Sequence, residues 1–471
     1  MGDLREGLAR VLERVVPGFE KLDVLERLSG GASQETYRIE IATVEGKRKL
    51  AMRRAPGGVA TPAAGSEKPG LALEAELMRL ARAAGVPEPV VVHVLTERDG
   101  IGEGFVMEWL EGEALGARIV RAPEFDAIRP KLAYQCGQVL ARIHAIDVKA
   151  TKLDQRLGKM DPETFVRQKW EQYQAMSTPQ PMIDFTARWL LEHLPKKSEL
   201  KLVHNDFRNG NLMFDKDAGV IAVLDWEVAH IGDPMRDLGW ICTNSWRFGR
   251  SELPVGGFGT YADLFAGYES VSGTPVDPAH VKFWEVFGSY WWAIGCLAMG
   301  MSYRTGPEKL VERPGIGRRT SECQVDCVNL VIPGPVEAPK KGVVMSSTDL
   351  PSNEELLTSV RDFLRDDVMK ATQGRTNFLA RVASNSLDIV LRELELGPWH
   401  AEHELEGLTR VLGHGGDLMS LRSELVQGLR SRAIALDRAG LAEHLRQTVV
   451  AQVAIDQPRY SGLATALGFR N

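Results

Sequence analysis

The spacing of hydrophobic and polar residues predicts that the first third of the chain is rich in strands. Alternation with a period of two indicates strands, whereas one stretch has helical spacing and ends at Gly85, just before Pro87. A loop rich in Pro, Gly and Ala, 55–70, precedes this helix. The predicted elements are strands at 22–28, 34–41, 49–54, 90–95 and 104–109 and a helix at 71–84.

From about residue 128 the hydrophobic pattern takes on the period of a helix. A short cluster of strands interrupts the helices, and the most apolar helix follows it. We therefore predict a β-rich segment followed by a mainly helical one. The predicted helices are 128–146, 162–174, 181–194 and 280–303, and the strands of the cluster are 201–204, 211–215 and 220–225.

A Pro- and Gly-rich segment near residue 340 predicts a linker between two domains. After it, Ser352 and Glu355 have the spacing of a helix capping box, and apolar residues then recur at helical intervals. This part of the chain predicts a small helical bundle in which we identify no catalytic constellation. The predicted division is an N-lobe at 1–110, a C-lobe at 111–332, a linker at 333–349 and a bundle of unknown role at 350–471.

Composition and charge narrow the class of protein. The 471 residues carry a net charge of -6, and no basic run provides a surface for nucleic acid or a membrane. The first twenty residues lack the apolar core of a signal peptide, and the longest apolar run, 291–301, is shorter than the roughly 20 residues that span a bilayer. The five cysteines show no disulfide pattern. We expect a cytoplasmic protein with reduced cysteines.

The residues that carry chemistry lie close together in the middle of the chain. His204, Asp206 and Asn211 form an HxDxxxxN pattern, and a hydrophobic strand then ends at Asp225. Phosphoryl transfer requires a carboxylate that orients a hydroxyl and accepts its proton, oxygen ligands for Mg²⁺, and positive charge near the transferred group. Asp206 suits the first role. Asn211 and Asp225 offer oxygen ligands that suit Mg²⁺, and Arg208 could reach the γ-phosphate.

A His-x-Asp pair alone is more often part of a structural loop than of a site, so the interpretation depends on the whole set. With its flanking segments, the set resembles the aminoglycoside phosphotransferase and choline kinase superfamily, whose catalytic loop usually has the sequence HGDxxxxN. It is especially similar to the branch that includes the phosphotransferase domains attached to acyl-CoA dehydrogenases. The resemblance extends over about 20–330 and includes the segments 28–33, 51–54, 105–112, 232–234 and 237–239.

The resemblance implies an α+β, protein-kinase-like fold with two lobes, a small β-rich N-lobe and a mostly helical C-lobe, followed here by the helical bundle. It also implies that ATP and Mg²⁺ are bound. Gly30 and Gly31, with Ser33 close by, would bring the backbone near the phosphates, because glycine has no Cβ in the way. A plain hairpin turn is the alternative interpretation of these glycines.

Two further nucleotide contacts follow from the resemblance. Arg53 occupies the position where kinases usually have the strand lysine that contacts the α- and β-phosphates, and Glu74 would fix it. Arginine keeps the charge, and its planar fork suits phosphate oxygens. Arg54 is the alternative phosphate contact, and an ordinary surface pair is the alternative for Arg53 with Glu74. Glu108 and Leu110 would lie at the hinge, where backbone groups bind adenine; a buried edge strand has the same pattern.

The remaining polar residues of the region are interpreted as structural. His204 is expected to pack and form hydrogen bonds within its loop rather than transfer protons, and His144 is expected to pack late in an apolar helix. Asp233 precedes Pro234 at a predicted helix start, so Asp233 and Asp237 are interpreted as helix caps.

The sequence departs from the family pattern at two places. Asn205 replaces the usual glycine after the histidine, as it does in choline kinases, so we do not expect catalysis to be impaired. Asp225 is followed by Trp226 and Glu227 where protein kinases have Phe-Gly, and no Ala-Pro-Glu segment follows. We therefore expect a small-molecule acceptor.

The acceptor itself is weakly indicated by the sequence. No dense acidic cluster suited to aminoglycosides can be assigned to a cleft, and the aromatic residues of 284–303 have the helical spacing of core positions. If some line the cleft, they suit an apolar acceptor such as a hydroxyacyl thioester. The leading prediction is a hydroxyl of a small metabolite. Antibiotic or sugar phosphorylation and a non-catalytic nucleotide-binding module are the alternatives. For the bundle we consider a homodimer contact or a lid over the acceptor site.

Overall fold

The computed structural model confirms the predicted α+β, protein-kinase-like fold with a β-rich N-lobe, a mainly helical remainder and further helices at the C-terminus. The residues that it describes are 2–28, 34–59, 69–196, 199–307, 309–342 and 351–468.

A five-stranded antiparallel sheet with the order β1-β2-β3-β5-β4 forms the N-lobe. Alternate residues of its strands face opposite sides, so each face is covered separately. Helix α1 (Gly2–Val15) packs Leu12 into the cluster that contains Ile39 and Val106. Helix α2 (Leu71–Ala83) covers the opposite face, where Phe105 is buried. The strands are β1 (Phe19–Arg27), β2 (Glu35–Thr43), β3 (Gly46–Arg54), β4 (Val91–Val94) and β5 (Gly104–Glu108).

Helix α2 ends at the predicted glycine. Gly85 has φ +82°, a conformation that side chains rarely adopt, and its N–H donates to the carbonyl of Arg82 at 3.0 Å. The N–H of Val86 donates to the carbonyl of Ala81, also at 3.0 Å. This stop fixes the length of α2 and leaves Glu74, in its first turn, buried against the sheet.

The C-lobe is built around the long helix α9, whose Trp284 and Phe287 lie in the core. Strands β8 and β9 pair as an antiparallel hairpin, and β10 lies between β6 and β7. In the described part of the chain no helix, α9 included, is long and apolar enough to cross a membrane. The elements are α3 (Gly116–Arg121), α4 (Arg129–His144), β6 (Lys159–Met160), α5 (Pro162–Gln174), α6 (Pro181–Glu192), β7 (Lys201–Val203), β8 (Leu212–Asp215), β9 (Gly219–Val223), β10 (His230–Gly232), α7 (Met235–Cys242), α8 (Tyr261–Ser272), α9 (Pro278–Thr305), α10 (Glu312–Arg318) and α11 (Thr320–Val331).

The C-terminal helices begin with the predicted capping box. The Ser352 hydroxyl accepts from the N–H of Glu355, and the Glu355 carboxylate accepts from the N–H of Ser352. The longest helix of this region has 39 residues and contains Pro398. The helices are α12 (Asn353–Phe363), α13 (Met369–Ala371), α14 (Gly374–Leu412), α15 (Leu418–Arg430), α16 (Leu441–Asp456) and α17 (Ser461–Ala466).

These C-terminal helices pack directly on the C-lobe. Leu445 and Val449 of α16 belong to the same buried cluster as Val325 and Val328 of α11. The segment that follows α11 is held by Arg446, which donates to the carbonyls of residues 332 and 335 at 3.0 and 2.9 Å. One continuous core therefore joins the bundle to the C-lobe, because α16 is apolar on several sides.

A buried ion pair across this interface gives a stability prediction. Arg430 donates to the Asp184 carboxylate at 2.8 Å, and Trp170 and Tyr173 donate to the same group. Because Arg430→Ala would leave a buried carboxylate without its cation, we expect the free energy of unfolding to fall by about 3 kcal/mol. Urea denaturation measures the change, with the exposed Arg438→Ala as the matched control. Equal stability of the two variants would contradict the prediction.

A second buried carboxylate at the interface predicts a dependence of stability on pH. Burial raises the pKa of Asp326 to about 7, although Tyr460 and Asn244 donate to it at 2.6 and 2.8 Å. The folded pKa is above the unfolded value of about 3.9, so the folded chain holds the proton longer. Stability should therefore fall between about pH 4 and pH 7, by at most about 4 kcal/mol from this group.

The measurement compares the free energy of unfolding of the wild type and of Asp326→Asn at pH 5 and pH 7.5. The wild type should lose stability relative to the variant as the pH rises, since the amide does not titrate. Parallel pH profiles of the two proteins would show that Asp326 does not carry the effect.

Candidate active site

The HxDxxxxN segment forms the loop between β7 and β8, and a buried aspartate holds its first residues. The Asp237 carboxylate accepts the backbone N–H groups of His204 at 2.8 Å and Asn205 at 2.6 Å, and it lies 3.1 Å from Nε2 of His144. Burial alone would raise the pKa of Asp237, but the hydrogen bonds from His144 and from the backbone N–H of His204 lower it. The interpretation of Asp237 as a helix cap is therefore wrong: the chain folds so that α7 presents this carboxylate to the loop.

His204 lies inside the loop as a hydrogen-bonded, buried ring. Its Nδ1 lies 3.2 Å from the N–H of Asp206, and its Nε2 lies 3.1 Å from the carbonyl of Leu224. This pattern assigns a neutral ring that carries its proton on Nε2. Burial lowers the pKa of His204, which favours the neutral form. The ring thus connects the loop to the end of β9.

Asn205 explains why this loop can depart from the usual glycine. Its φ is +66°, in the left-handed region that glycine adopts most readily and that asparagine tolerates better than most residues. Its side chain accepts from Nε of the buried Arg236 at 3.0 Å and donates to the carbonyl of Val228 at 3.3 Å. The substitution keeps the backbone shape of the loop and adds two contacts.

Asp206 is the carboxylate at the centre of the site. Its side chain is 19% exposed, so a small molecule can reach it. Trp240 donates to Oδ1 from Nε1 at 2.7 Å, Arg208 donates to Oδ1 from Nε at 3.0 Å, and Asn211 donates to Oδ2 at 2.5 Å. Three donors fix the orientation of the carboxylate. In this structure Arg208 is paired with Asp206 itself.

Asn211 and Asp225 come from neighbouring backbone segments. The carbonyl of Asn211 accepts the N–H of Leu224 at 2.7 Å, which places Asn211 beside the residue that precedes Asp225. Asp225 has φ +70°, an uncommon conformation for a residue other than glycine, and its side chain is 31% exposed. Strained backbone of this kind is concentrated at functional sites.

Arg53 connects the N-lobe to this site. Its Nη2 lies 2.8 Å from Oδ1 of Asp225 and 3.7 Å from Oε2 of Glu74. Burial opposes the charged form, but Asp225 and Glu74 raise the pKa of Arg53 above its ordinary value. Arg54 points to the other face of the sheet, where it donates to Glu35 at 2.9 Å, because successive strand residues face opposite sides. The structure thus brings Arg53, and not Arg54, to Asp225.

A buried pair fixes the residue after Asp225. Nε1 of Trp226 donates to Oε1 of Glu88 at 3.1 Å, and the Trp226 ring packs on His204 with centroids 4.7 Å apart. Burial raises the pKa of Glu88 well above its usual range. Trp226 therefore fixes the backbone next to Asp225. It occupies the position at which protein kinases have a phenylalanine.

A cluster of aromatic rings adjoins Asp206 through Trp240. The ring of Trp240 lies 5.1 Å from Trp246 and 4.9 Å from Trp291, and Trp246 lies 5.8 Å from Trp292. The guanidinium of Arg208 lies over the Trp246 ring at 4.3 Å. The half-buried Trp291 and Trp292 therefore pack behind Trp240 and Trp246, the two rings that contact Asp206 and Arg208. The sequence pattern did not indicate Trp240 or Trp246, since neither belongs to the HxDxxxxN set.

The remaining predicted residues are those of the hinge and of the glycine-containing loop. Glu108 and Leu110 lie at the end of β5, as expected of a hinge. The N–H of Glu108 donates to the carbonyl of Val90 at 2.8 Å, so it is already used within the sheet. Gly30, Gly31 and Ser33 lie outside the described residues.

Residues 24–273 match the Phosphotransferase enzyme family (APH), a segment that is more than half of the chain and contains the HxDxxxxN loop and Asp225. The chain belongs to this phosphotransferase family. Residues 370–460, within the bundle of this phosphotransferase, match a domain of unknown function (DUF6285).

Curated relatives of this phosphotransferase include long proteins. Acyl-CoA dehydrogenase family member 10 of Mus musculus is 35% identical over 222 residues, which are 45% of this chain and 19% of that protein. Acyl-CoA dehydrogenase family member 11 of Gallus gallus is 30% identical over 244 residues, 50% of this chain and 30% of that protein. The matched region thus spans less than a third of either relative.

A solved structure shares the fold of the phosphotransferase. The crystal structure of a Ralstonia eutropha JMP134 protein assigned as an aminoglycoside phosphotransferase superposes with a TM-score of 0.53 and 23% identity. The match covers 68% of this chain and 95% of that chain. This similarity shows the fold and supports the two-lobed description above.

The side chains of this phosphotransferase fit a nucleotide and a magnesium ion. The amide nitrogen of Asn211 is used by Asp206, which leaves its oxygen for a cation, and Asp225 uses Oδ1 for Arg53. Within the described residues, no group of three or more His, Cys, Asp or Glu side chains could hold a metal alone. Magnesium commonly takes one or two protein oxygens and completes its shell with phosphate and water. Nε of Arg53 is buried without a hydrogen-bond partner among the described residues, which suits a phosphate oxygen.

Proposed function

We propose that this phosphotransferase is an ATP- and Mg²⁺-dependent kinase that transfers the γ-phosphate to a hydroxyl of a small molecule. The supporting observation is the environment of Asp206. Its partly exposed carboxylate is held by Asn211 and Trp240 in a loop whose far end contacts Leu224, next to Asp225. A base, two oxygen ligands and a cation from the N-lobe are therefore linked through neighbouring contacts and backbone segments, as phosphoryl transfer requires.

The nucleotide would be bound from both lobes. Asn211 and Asp225 would supply protein oxygens to Mg²⁺, which would offset negative charge on the phosphates when bound. Arg53 would exchange its contact with Asp225 for a phosphate oxygen, and Glu74 would keep it in place. The carbonyl of Glu108 and the N–H of Leu110 are the hinge groups proposed for adenine, because the N–H of Glu108 is used by Val90. We retain Gly30, Gly31 and Ser33 as proposed phosphate contacts.

Asp206 would position the acceptor hydroxyl and take its proton. As the hydroxyl oxygen bonds to the γ-phosphorus, the bond from that phosphorus to the bridging oxygen of ADP breaks, and the proton passes to the Asp206 carboxylate. Arg208, beside Asp206, would offset charge on the transferred group. His204 would hold the loop and not act as the base, because both of its ring nitrogens are already engaged.

The aromatic cluster beside Asp206 supports an acceptor with an apolar part. The half-buried Trp291 and Trp292 pack against the buried Trp240 and Trp246 beside Asp206 and Arg208, and they offer ring surface for such a group. We therefore propose a hydroxyacyl metabolite, in line with the acyl-CoA dehydrogenase family names of the curated relatives.

The test is ADP release from Mg-ATP with a panel of hydroxyl compounds. A hydroxyacyl thioester is compared with the same acyl thioester without the hydroxyl, and with a sugar and an aminoglycoside. We expect release to require the hydroxyl and to be highest with the hydroxyacyl compound. ADP release with only the sugar or the aminoglycoside would support the proposed kinase activity but refute the proposed hydroxyacyl acceptor. No release with any hydroxyl compound, together with tight Mg-ATP binding, would favour a nucleotide-binding module.

A further inference from the structure

Two residues of α7 form a line of contacts that ends at Asp206. Arg236 and Trp240 are four residues apart, so their side chains leave the same face of the helix. The guanidinium of Arg236 lies over the Trp240 ring at 4.6 Å, and Nε1 of Trp240 donates to Oδ1 of Asp206 at 2.7 Å. The exposed fractions of Arg236 and Trp240 are 0% and 2%. A buried cation, an aromatic ring and the carboxylate of Asp206 therefore contact one another in sequence.

The guanidinium of Arg236 forms no ion pair with any carboxylate of the described residues. Its Nε donates to Oδ1 of Asn205 at 3.0 Å, and its Nη1 has no hydrogen-bond partner in the same part of the chain. Burial lowers the pKa of Arg236 to about 9, against the attraction of Asp237 and Asp206, so the group is a cation near pH 7. Because a buried cation without an ion pair costs free energy, its retention needs a reason.

Aromatic rings take the place of a carboxylate around this cation. In addition to Trp240, the rings of Trp291 and Phe287 lie 4.7 and 5.3 Å from the Arg236 guanidinium. The face of an aromatic ring is partially negative and its edge partially positive, so a cation on the face is stabilised. The cation also draws electron density from the indole, which makes the Trp240 N–H a stronger hydrogen-bond donor.

We infer that Arg236 is a positioning residue for phosphoryl transfer and that it acts on Asp206 through Trp240. The cation strengthens the indole N–H, and the N–H holds the Asp206 carboxylate in one orientation. Since Arg236 is fully buried, it reaches the reaction only through its neighbours. The inference rests on the proposed function, in which Asp206 orients the acceptor hydroxyl.

The first test compares ADP release from Mg-ATP with the most active compound of the hydroxyl panel. Arg236→Met and Trp240→Phe should each lower kcat roughly tenfold and leave the affinity for Mg-ATP within about twofold. Arg236→Lys should lose less because it keeps the charge. The double variant should be no slower than the slower single one, since both changes interrupt the same contacts. Trp189→Phe is the matched control and should keep full activity, because Trp189 stacks on His193 in α6.

The second test follows the indole N–H of Trp240 by NMR and needs no substrate. In protein with isotope-labelled tryptophan, Trp240→Phe identifies the signal. The signal should move upfield in Arg236→Met and in Asp206→Asn, because either change weakens the hydrogen bond. Asp217→Asn, on an exposed residue, should leave the signal unchanged.

These measurements separate the inference from the proposed function. Unchanged turnover or an unchanged indole signal in Arg236→Met, with an active wild type, would overturn the inference and leave the kinase in place. Equal losses in Arg236→Met and Arg236→Lys would also overturn it. A wild type that releases no ADP with any hydroxyl compound would overturn both. If Arg236→Met failed to fold, Arg236→Gln would take its place, since it removes the charge and can still donate to Asn205.

Discussion

Asp206→Asn is expected to lower kcat roughly a thousandfold and to leave the affinity for Mg-ATP within about twofold. The asparagine keeps the size of the side chain and an oxygen that can accept from Trp240, so the loop should remain folded. It cannot take the proton of an acceptor hydroxyl. The loss should therefore fall on turnover and not on nucleotide binding, because the proposed Mg²⁺ ligands are Asn211 and Asp225.

The measurement combines steady-state ADP release with isothermal titration of Mg-ATP. Asp217→Asn is a suitable control, because it makes the same substitution on an exposed residue between β8 and β9. That variant should retain full activity. If Asp206→Asn kept its turnover, or if it lost Mg-ATP binding while folded, the role assigned to Asp206 would be wrong.

Asp225→Asn should act on binding instead, with Mg-ATP affinity reduced roughly a hundredfold. The substitution removes the charge of a proposed Mg²⁺ ligand and turns its ion pair with Arg53, 2.8 Å away, into a weaker neutral contact. Arg53 would retain Glu74, at 3.7 Å, and so should stay in the site. The affinity for ATP in the absence of divalent cation should change much less, because the lost contact is with the metal.

Titration of the wild type and of Asp225→Asn with ATP, in the presence of Mg²⁺ or of EDTA, separates these effects. A loss of affinity confined to the Mg²⁺ series supports the assignment. An equal loss in both series would mean that Asp225 acts through Arg53 and not through the metal. Comparison with Asp206→Asn then gives opposite patterns for the two carboxylates, one in turnover and one in binding.

The bundle also reaches the surroundings of the site. Asp326 accepts from Asn244, and Asn244 begins the short helical turn that ends at Trp246. Tyr460 donates to the same carboxylate from the bundle side at 2.6 Å. Trp246 in turn lies under Arg208. The C-terminal helices are thus linked to Arg208 of the HxDxxxxN loop through a continuous set of contacts.

Local pattern was enough to predict most elements and the order of the lobes. Strand alternation, the glycine stop of α2 and the capping box at Ser352 depend on residues within a few positions of each other, and each was found where predicted. The HxDxxxxN spacing likewise identified the loop that carries Asp206 and Asn211. The predicted domain boundaries, homodimer and cytoplasmic location stay predictions.

Tertiary structure alone decided the contacts between distant segments. Asp237 was interpreted as a cap because its neighbours indicated a helix start, yet it faces a loop 33 residues earlier. Trp240 became a donor to Asp206 in the same way. From its sequence the bundle was predicted to be a separate domain. An apolar helix face shows that another part of the protein covers it, but the sequence does not show which part.

By itself the sequence determined which groups were available for chemistry and on which predicted elements they lie. These groups are the carboxylate of Asp206, the amide of Asn211 and the carboxylate of Asp225. Only the folded chain decided that Arg53 meets Asp225 while Arg54 turns away, and that α16 of the bundle packs on α11 of the C-lobe. The spacing and alternation of hydrophobic residues depend only on residues within one or two helical turns of each other. Partners across hundreds of residues are chosen by packing and burial, which depend on the whole molecule.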